Sequence, residues 1–232
     1  MQYARSWKFV FDSPHWLGNL ALPIVCAAFI PVVGQFVMLG YFYAVVEALH
    51  LSRGQRYEDF AFERFMAYFA RGLWPFVIQL ILILPLMLVM MLMWGVGVAL
   101  AAAFVNENNA EVVVPLLIAA GMALYLIVFF AALIVLVPMS LRAGLAQEIA
   151  LGAAWEFGVD FRRRVQPELM WSLLYNFLMG PVVMLVGALF CCIGMYPAQA
   201  LLLLSHYHRV SQLYQLYLER GGTEIPLRVE AV

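Results

Sequence analysis

The side chains of this 232-residue sequence best suited to chemistry are four histidines and a few carboxylates and amides, and their spacing argues against most reactions. His206 and His208 are two residues apart, which turns them about 200° from each other on a helix, so a regular helix cannot bring both to one metal ion. His50 follows Glu47 by one turn, where the two can share a proton, although such a pair at a helix end is commonly an ordinary local contact. The chain has no nucleophile-elbow pentapeptide, no phosphate loop and no His-Glu-x-x-His. Gly95-x-Gly97 lacks the third glycine of a dinucleotide fingerprint and lies in an apolar run. Cys26, Cys191 and Cys192 sit among apolar residues without the spacing of a zinc site or a disulfide framework, and read as small buried hydrophobes. The sequence therefore assigns no catalytic, cofactor-binding or metal residue and implies no cofactor.

What remains is recognition. Gln35, Asn176, Gln199 and His206 are polar side chains in otherwise apolar stretches, and Gln199 and His206 are seven apart and share a helix face. They define a candidate polar cavity, set against simple hydrogen bonding between helices. Trp155 precedes the run Arg162-Arg163-Arg164, an aromatic and basic pairing suited to anionic lipid headgroups, or to fixing topology alone. Gly180, Gly187 and Gly194 recur every seven residues as a candidate helix-packing seam, within the chain first and between copies second. His208, Gln212, Gln215 and Glu219 form a polar stripe on the last helix, which reads as a surface for a partner or for folding back.

The elements that carry these residues are set by composition. Apolar residues make up 66% of the chain and charged residues 12%, against about 45–50% and 25% in soluble domains. Lipid is the solvent such a chain fits. The net charge of −1 gives no basic face for nucleic acid. Arg5 and Lys8 precede an apolar run, but Pro23 interrupts it, no small-x-small cleavage site follows, and Cys26 lacks the small residue that precedes a lipoprotein cysteine; the segment is expected to be retained.

A spanning helix needs about 20 apolar residues. The stretches 17–49 and 169–218 exceed one span and are broken, the first at Pro31-Val32-Val33-Gly34, the second at Cys191-Cys192-Ile193-Gly194 and Pro197. The expected fold is all-α, a polytopic integral membrane protein in one domain with about six hydrophobic helices near 15–31, 34–52, 73–104, 111–141, 168–190 and 193–219, two of the pairs being Pro/Gly-broken hairpins, and a tail at 220–232. The first hairpin either spans or re-enters. Tyr57 to Arg71 places Tyr57, Ala61, Phe62, Phe65, Met66, Tyr68 and Phe69 on one half of a helical wheel and Asp59, Glu63, Arg64 and Arg71 on the other, which predicts an amphipathic helix over 57–71 on the cytoplasmic side. The 13 Lys and Arg fall in the N-terminal arm, in 50–72, in 141–168 and in the C-terminal part, and none falls near Gly34, Asn106 or Gly194. That asymmetry predicts cytoplasmic termini.

Phe11-Asp12-Ser13-Pro14-His15-Trp16, then Gly34 and Gly40-Tyr41, a Tyr/Asp/Phe-rich segment ending in Arg71-Gly72-Leu73, Trp155-Glu156-Phe157, and His206 to Tyr217 together resemble the DUF4013 family of bacterial and archaeal membrane proteins. The resemblance covers almost the whole chain. It implies a multi-span fold in a cytoplasmic (inner) membrane and no activity, since the family's function is unknown. Arg56-Tyr57 stands where the family pattern has Leu-Pro. The first functional expectation is a non-enzymatic scaffold or accessory protein whose partners are membrane lipid and a protein or second copy. The alternative is a small permease or lipid-handling transporter with its site between the broken hairpins.

Overall fold

The computed structural model describes all residues except Arg56, 106–108, 191–193 and 229–232, and of Ala27, Ala28 and Pro31 the backbone alone. Asn106, Cys191 and Cys192 therefore lie outside the described residues. Seven α-helices account for most of the chain: α1 Tyr3–Asp12, α2 Trp16–Phe29, α3 Pro31–Leu51, α4 Phe65–Phe104, α5 Ala110–Ala146, α6 Leu151–Ala188 and α7 Met195–Glu219. The all-α class expected from composition holds, and no strand occurs among the described residues. Among the described residues four helices, α3 to α6, are long and apolar enough to cross a membrane.

The core forms around α3, which packs against α2, α4 and α7. Val37, Tyr41, Phe42, Tyr43, Val45, Val46 and Leu49 on α3 are all buried. Helix α1 lies on α7, α4 and α5 form one hairpin, and α6 and α7 form another.

The 40 residues of α4 extend about 60 Å, twice the ~30 Å of a bilayer's hydrocarbon core. Its two ends differ accordingly. Tyr68, Arg71, Gly72, Pro75 and Ile78 are buried, whereas Leu84, Met87, Met91, Leu92, Trp94, Val96 and Phe104 are exposed. Helix α5 mirrors this, with its buried residues confined to Pro138–Ala146. One end of the α4–α5 hairpin thus joins the core, and the other stands out as an apolar projection.

The first hairpin is shorter. Helix α2 has only 14 residues, about 21 Å. The Phe36 ring lies edge-on to Phe76, with ring centroids 4.6 Å apart, which sets the α2–α3 turn at Ile30-Pro31 beside residue 80 or so of α4. From there α4 runs roughly another 35 Å to its end.

Several expected boundaries move. No regular helix covers 57–64: Tyr57–Ala61 is irregular, a 3-10 turn spans Phe62–Arg64, and the helix from Phe65 onward is the start of α4 itself. Side chains hold the irregular segment. Phe60 N–H donates to Asn19 Oδ1 at 2.8 Å and Tyr41 Oη–H to the Glu58 carbonyl at 3.1 Å. Helix α6 starts at Leu151 instead of near 168, because Ala154, Phe157, Gly158, Phe161, Val165 and Leu169 recur at three- and four-residue steps and bury one face. A kink at Val165, just before Pro167, divides it. Residues 3–12, expected to be an arm, form α1. In the tail, Ile225 is buried, its N–H donating to Tyr214 Oη at 2.8 Å.

Candidate functional site

The polar side chains of the interior gather in three clusters. The first lies between α1, α6 and α7. Arg209 is fully buried, and its Nη1 donates to Ser205 Oγ at 2.7 Å and Ser6 Oγ at 3.3 Å. Its Nη2 donates to Asn176 Oδ1 at 2.7 Å, and its guanidinium carbon stands 5.0 Å from the centre of the Tyr175 ring. All of these partners are neutral. A buried guanidinium needs several hydrogen bonds to offset lost hydration, and here α1, α6 and α7 each contribute some. Burial raises the Tyr3 phenol above its ordinary range beside this cluster.

The second cluster joins α3, α4 and the end of α5. Arg71 and Glu47 form a buried ion pair at 2.5 Å. The Gln147 amide, oriented with its oxygen toward the guanidinium, accepts from Arg71 Nη2 at 3.0 Å and Nε at 3.3 Å. Gln147 has a left-handed backbone, φ 51°, where glycine usually ends a helix. Its side-chain bonds to Arg71 supply a reason for a glutamine there. Glu47 is thus turned to Arg71, while His50, one turn from Glu47, meets Glu224 Oε1 at 3.0 Å.

The third cluster ties the N-terminal segment to the loop before α4. Ser13 Oγ donates to Asp59 Oδ1 at 2.6 Å, Asn19 Nδ2 donates to the same oxygen at 2.7 Å, and Tyr68 Oη–H reaches the Asp59 carbonyl at 3.5 Å. Burial pushes the phenol of nearby Tyr57 well up.

The four residues of the expected polar cavity are not brought together. Gln35 and Gln199 are exposed, Asn176 is taken up by Arg209, and His206 is half-buried with no hydrogen bond at Nδ1. Gln35 on α3 and Gln199 on α7 are exposed while Asn176 on α6 is turned inward to Arg209, so no shared wall forms. The basic run divides as well. Arg164 makes two 3.0 Å bonds to Asp160 and donates to the Arg220 carbonyl at 2.5 Å, which makes it an internal tie. Arg162 stands 5.7 Å from the Trp155 ring centre, and Arg163 and Trp155 are exposed. In the glycine series, a Cβ on Gly187 would fall 2.7 Å from the Gly194 carbonyl oxygen, so these two close the α6–α7 hairpin, while Gly180 faces Leu202 at ordinary contact distance. Among the described residues no three of His, Cys, Asp and Glu are placed to hold a metal ion.

The sequence reading missed Arg209 as more than a positive charge. Its signal was present: an arginine one turn after Ser205, which itself follows the apolar run Leu201 to Leu204.

The family model described as "Protein of unknown function (DUF4013)" matches residues 24–192. The chain belongs to the DUF4013 family. Gly40, Glu47, Asp59, Arg71, Gly72, Gln147 and Asn176 lie inside the DUF4013 match, whereas Ser6, Ser13 and Arg209 lie outside it. The Arg71 cluster is thus wholly within the family's segment, and the Arg209 cluster joins that segment to both flanks. No curated protein and no solved structure matches the chain.

Proposed function

We propose that this chain is a non-enzymatic protein of a bacterial or archaeal cytoplasmic membrane, a scaffold or accessory subunit that acts through lipid and protein contacts. The observation that carries the reading is the bond between Asn176 and Arg209. The amide expected to face a substrate path is occupied by a buried arginine, so the interior polarity serves packing. The exposed apolar residues of α4 and α5 offer the contact surface.

In this reading α4, α5 and α6 cross the bilayer, α7, less apolar than these, crosses paired with α6, and α2–α3 enters it without crossing although α3 is long and apolar enough to span. Helix α7 runs back along α6, with Gly194 beside Gly187 and Leu202 beside Gly180, and so returns to the starting side. Four crossings leave both termini in one compartment. Every described Lys and Arg lies outside the turns at Ile30-Pro31, between α4 and α5, and between α6 and α7. The excess of basic residues makes their compartment the cytoplasm.

Extraction in a mild detergent with cross-linking tests the role. A stoichiometric protein partner or second copy is expected, and repeated recovery of a lone monomer would count against a scaffold. The permease alternative has less support, because Gln35 and Gln199 are exposed. In reconstituted vesicles, loss of a substrate flux on Gln199→Leu would restore it.

A further inference from the structure

A cleft of about 350 Å³ opens between α1, the turn after α3, and α7. Its volume lies within the range of small-molecule sites. Two arginines from opposite walls face it, Arg5 and Arg53, against one carboxylate, Glu219. Neither arginine makes an ion pair among the described residues; Arg5 has a 3.3 Å bond to the Gln2 side chain.

The cleft is braced from within the protein. Gln212 accepts from the Gln2 N–H at 2.8 Å, and Gln215 Nε2 donates to the Leu49 carbonyl at 3.4 Å. Between them, His208 is 5% exposed and Ser211 is 1% exposed, and both line the cleft. His208 Nδ1 and Ser211 Oγ have no hydrogen-bond partner, and buried polar atoms in this state are uncommon. The turn carries a further sign. Arg53 adopts φ 52° and Gly54 φ 80°. Glycine takes such an angle freely, but arginine does so at some cost, and strain of this kind concentrates where a side chain must be aimed.

We propose that this cleft binds the phosphate group of a small molecule or a lipid headgroup. Arg5 and Arg53 supply charge-assisted hydrogen bonds from opposite walls, and the buried polar atoms of His208 and Ser211 lie behind them. Binding clamps α1 onto the end of α3. The site does not depend on the membrane topology or on the scaffold reading, because its residues and walls are fixed by contacts within the chain.

The test uses the full chain in a neutral maltoside detergent. One arm adds inorganic pyrophosphate; the other adds phosphatidylglycerol to the micelles. The readouts are thermal stability and proteolytic release of α1. Arg5→Gln with Arg53→Asn removes both charges, and asparagine preserves the left-handed turn. Arg228→Gln, in the exposed tail, controls for loss of a positive charge away from the cleft. Stabilisation in at least one arm, weakened roughly tenfold in the double variant and unchanged in Arg228→Gln, is expected. The responding arm identifies whether the phosphate is soluble or lipid-borne. No response in either arm, or an equal response in the double variant, would overturn the site.

Discussion

Gly40 of α3 and Gly72 of α4 lie backbone to backbone. A Cβ on Gly40 would fall 1.8 Å from the Tyr68 carbonyl oxygen, and one on Gly72 would fall 1.9 Å from that of Phe36. Only hydrogen at both positions permits this crossing, and the crossing brings Arg71, next to Gly72, within reach of Glu47, two turns along α3 from Gly40. The Arg71 ion pair and the seating of α2–α3 on α4 both follow from it.

Gly72→Ala should therefore destabilise the protein by about 2–3 kcal/mol, the cost of overpacking against backbone that cannot yield. The same change in the projecting part of α4 should act in the opposite direction. A Cβ on Gly95 or Gly97 meets nothing within 4 Å, so alanine there gains up to about 1 kcal/mol of helix propensity. Thermal unfolding in one detergent separates the two. Equal effects at Gly72 and Gly95 would show that the α3–α4 contact is not tight.

Glu47→Leu should cost about 3–5 kcal/mol, since it takes the carboxylate from a guanidinium that is 4% exposed. Glu47→Leu with Arg71→Met should recover much of the loss, because an apolar pair of similar size needs no hydration replaced. A double variant as unstable as the single one would mean that Arg71 is held by other contacts.

The end of the projecting region was legible in the sequence, because lipid-facing segments are read from composition alone: α4 ends at Phe104 as expected. The Pro/Gly break placed the other turn, so α2 and α3 also lie close to their expected bounds. The core-side ends were not. Tyr57 to Arg71 has a helical wheel pattern, but the backbone of 57–61 is claimed by Asn19 and Tyr41, which are distant in sequence. Helix α6 gains the stretch from Leu151 to residue 168 by packing Phe157 and Phe161 on Tyr217. The amides Gln35 and Gln199 shared a polarity signal with Asn176, yet only tertiary placement distinguishes a buried amide from an exposed one. Arg209 was hidden by its charge, since a count of arginines treats it as a topology signal when it is in fact the centre of the α1–α6–α7 contact.

Asn19→Leu should loosen the loop before α4. It removes the acceptor of the Phe60 N–H and one donor to Asp59, a loss of about 1–3 kcal/mol. Amide hydrogen exchange at Phe60 should rise sharply while exchange in the middle of α3 changes little. Unchanged protection at Phe60 would contradict the clasp.

Ser6→Ala should release α1. Arg209 then keeps Ser205 and Asn176 but loses its hydrogen-bond partner on α1, at about 1–3 kcal/mol. Limited proteolysis between α1 and α2 should accelerate at a temperature where the remaining helices stay folded. An intact cleavage rate would mean that α1 is held by its apolar contacts, Phe9 and Val10 among them.

The decisive measurement is the sidedness of single cysteines, placed in a cysteine-free version of the chain at exposed positions 2, 55, 111 and 156 and labelled with a membrane-impermeant maleimide. Gln2→Cys, Gln55→Cys and Glu156→Cys should label from the cytoplasmic face, and Glu111→Cys, at the start of α5, from the opposite face. Labelling of Gln2→Cys and Glu156→Cys from different faces would mean that the α2–α3 hairpin does not turn back, and the arrangement of four crossings with a common basic side would be wrong.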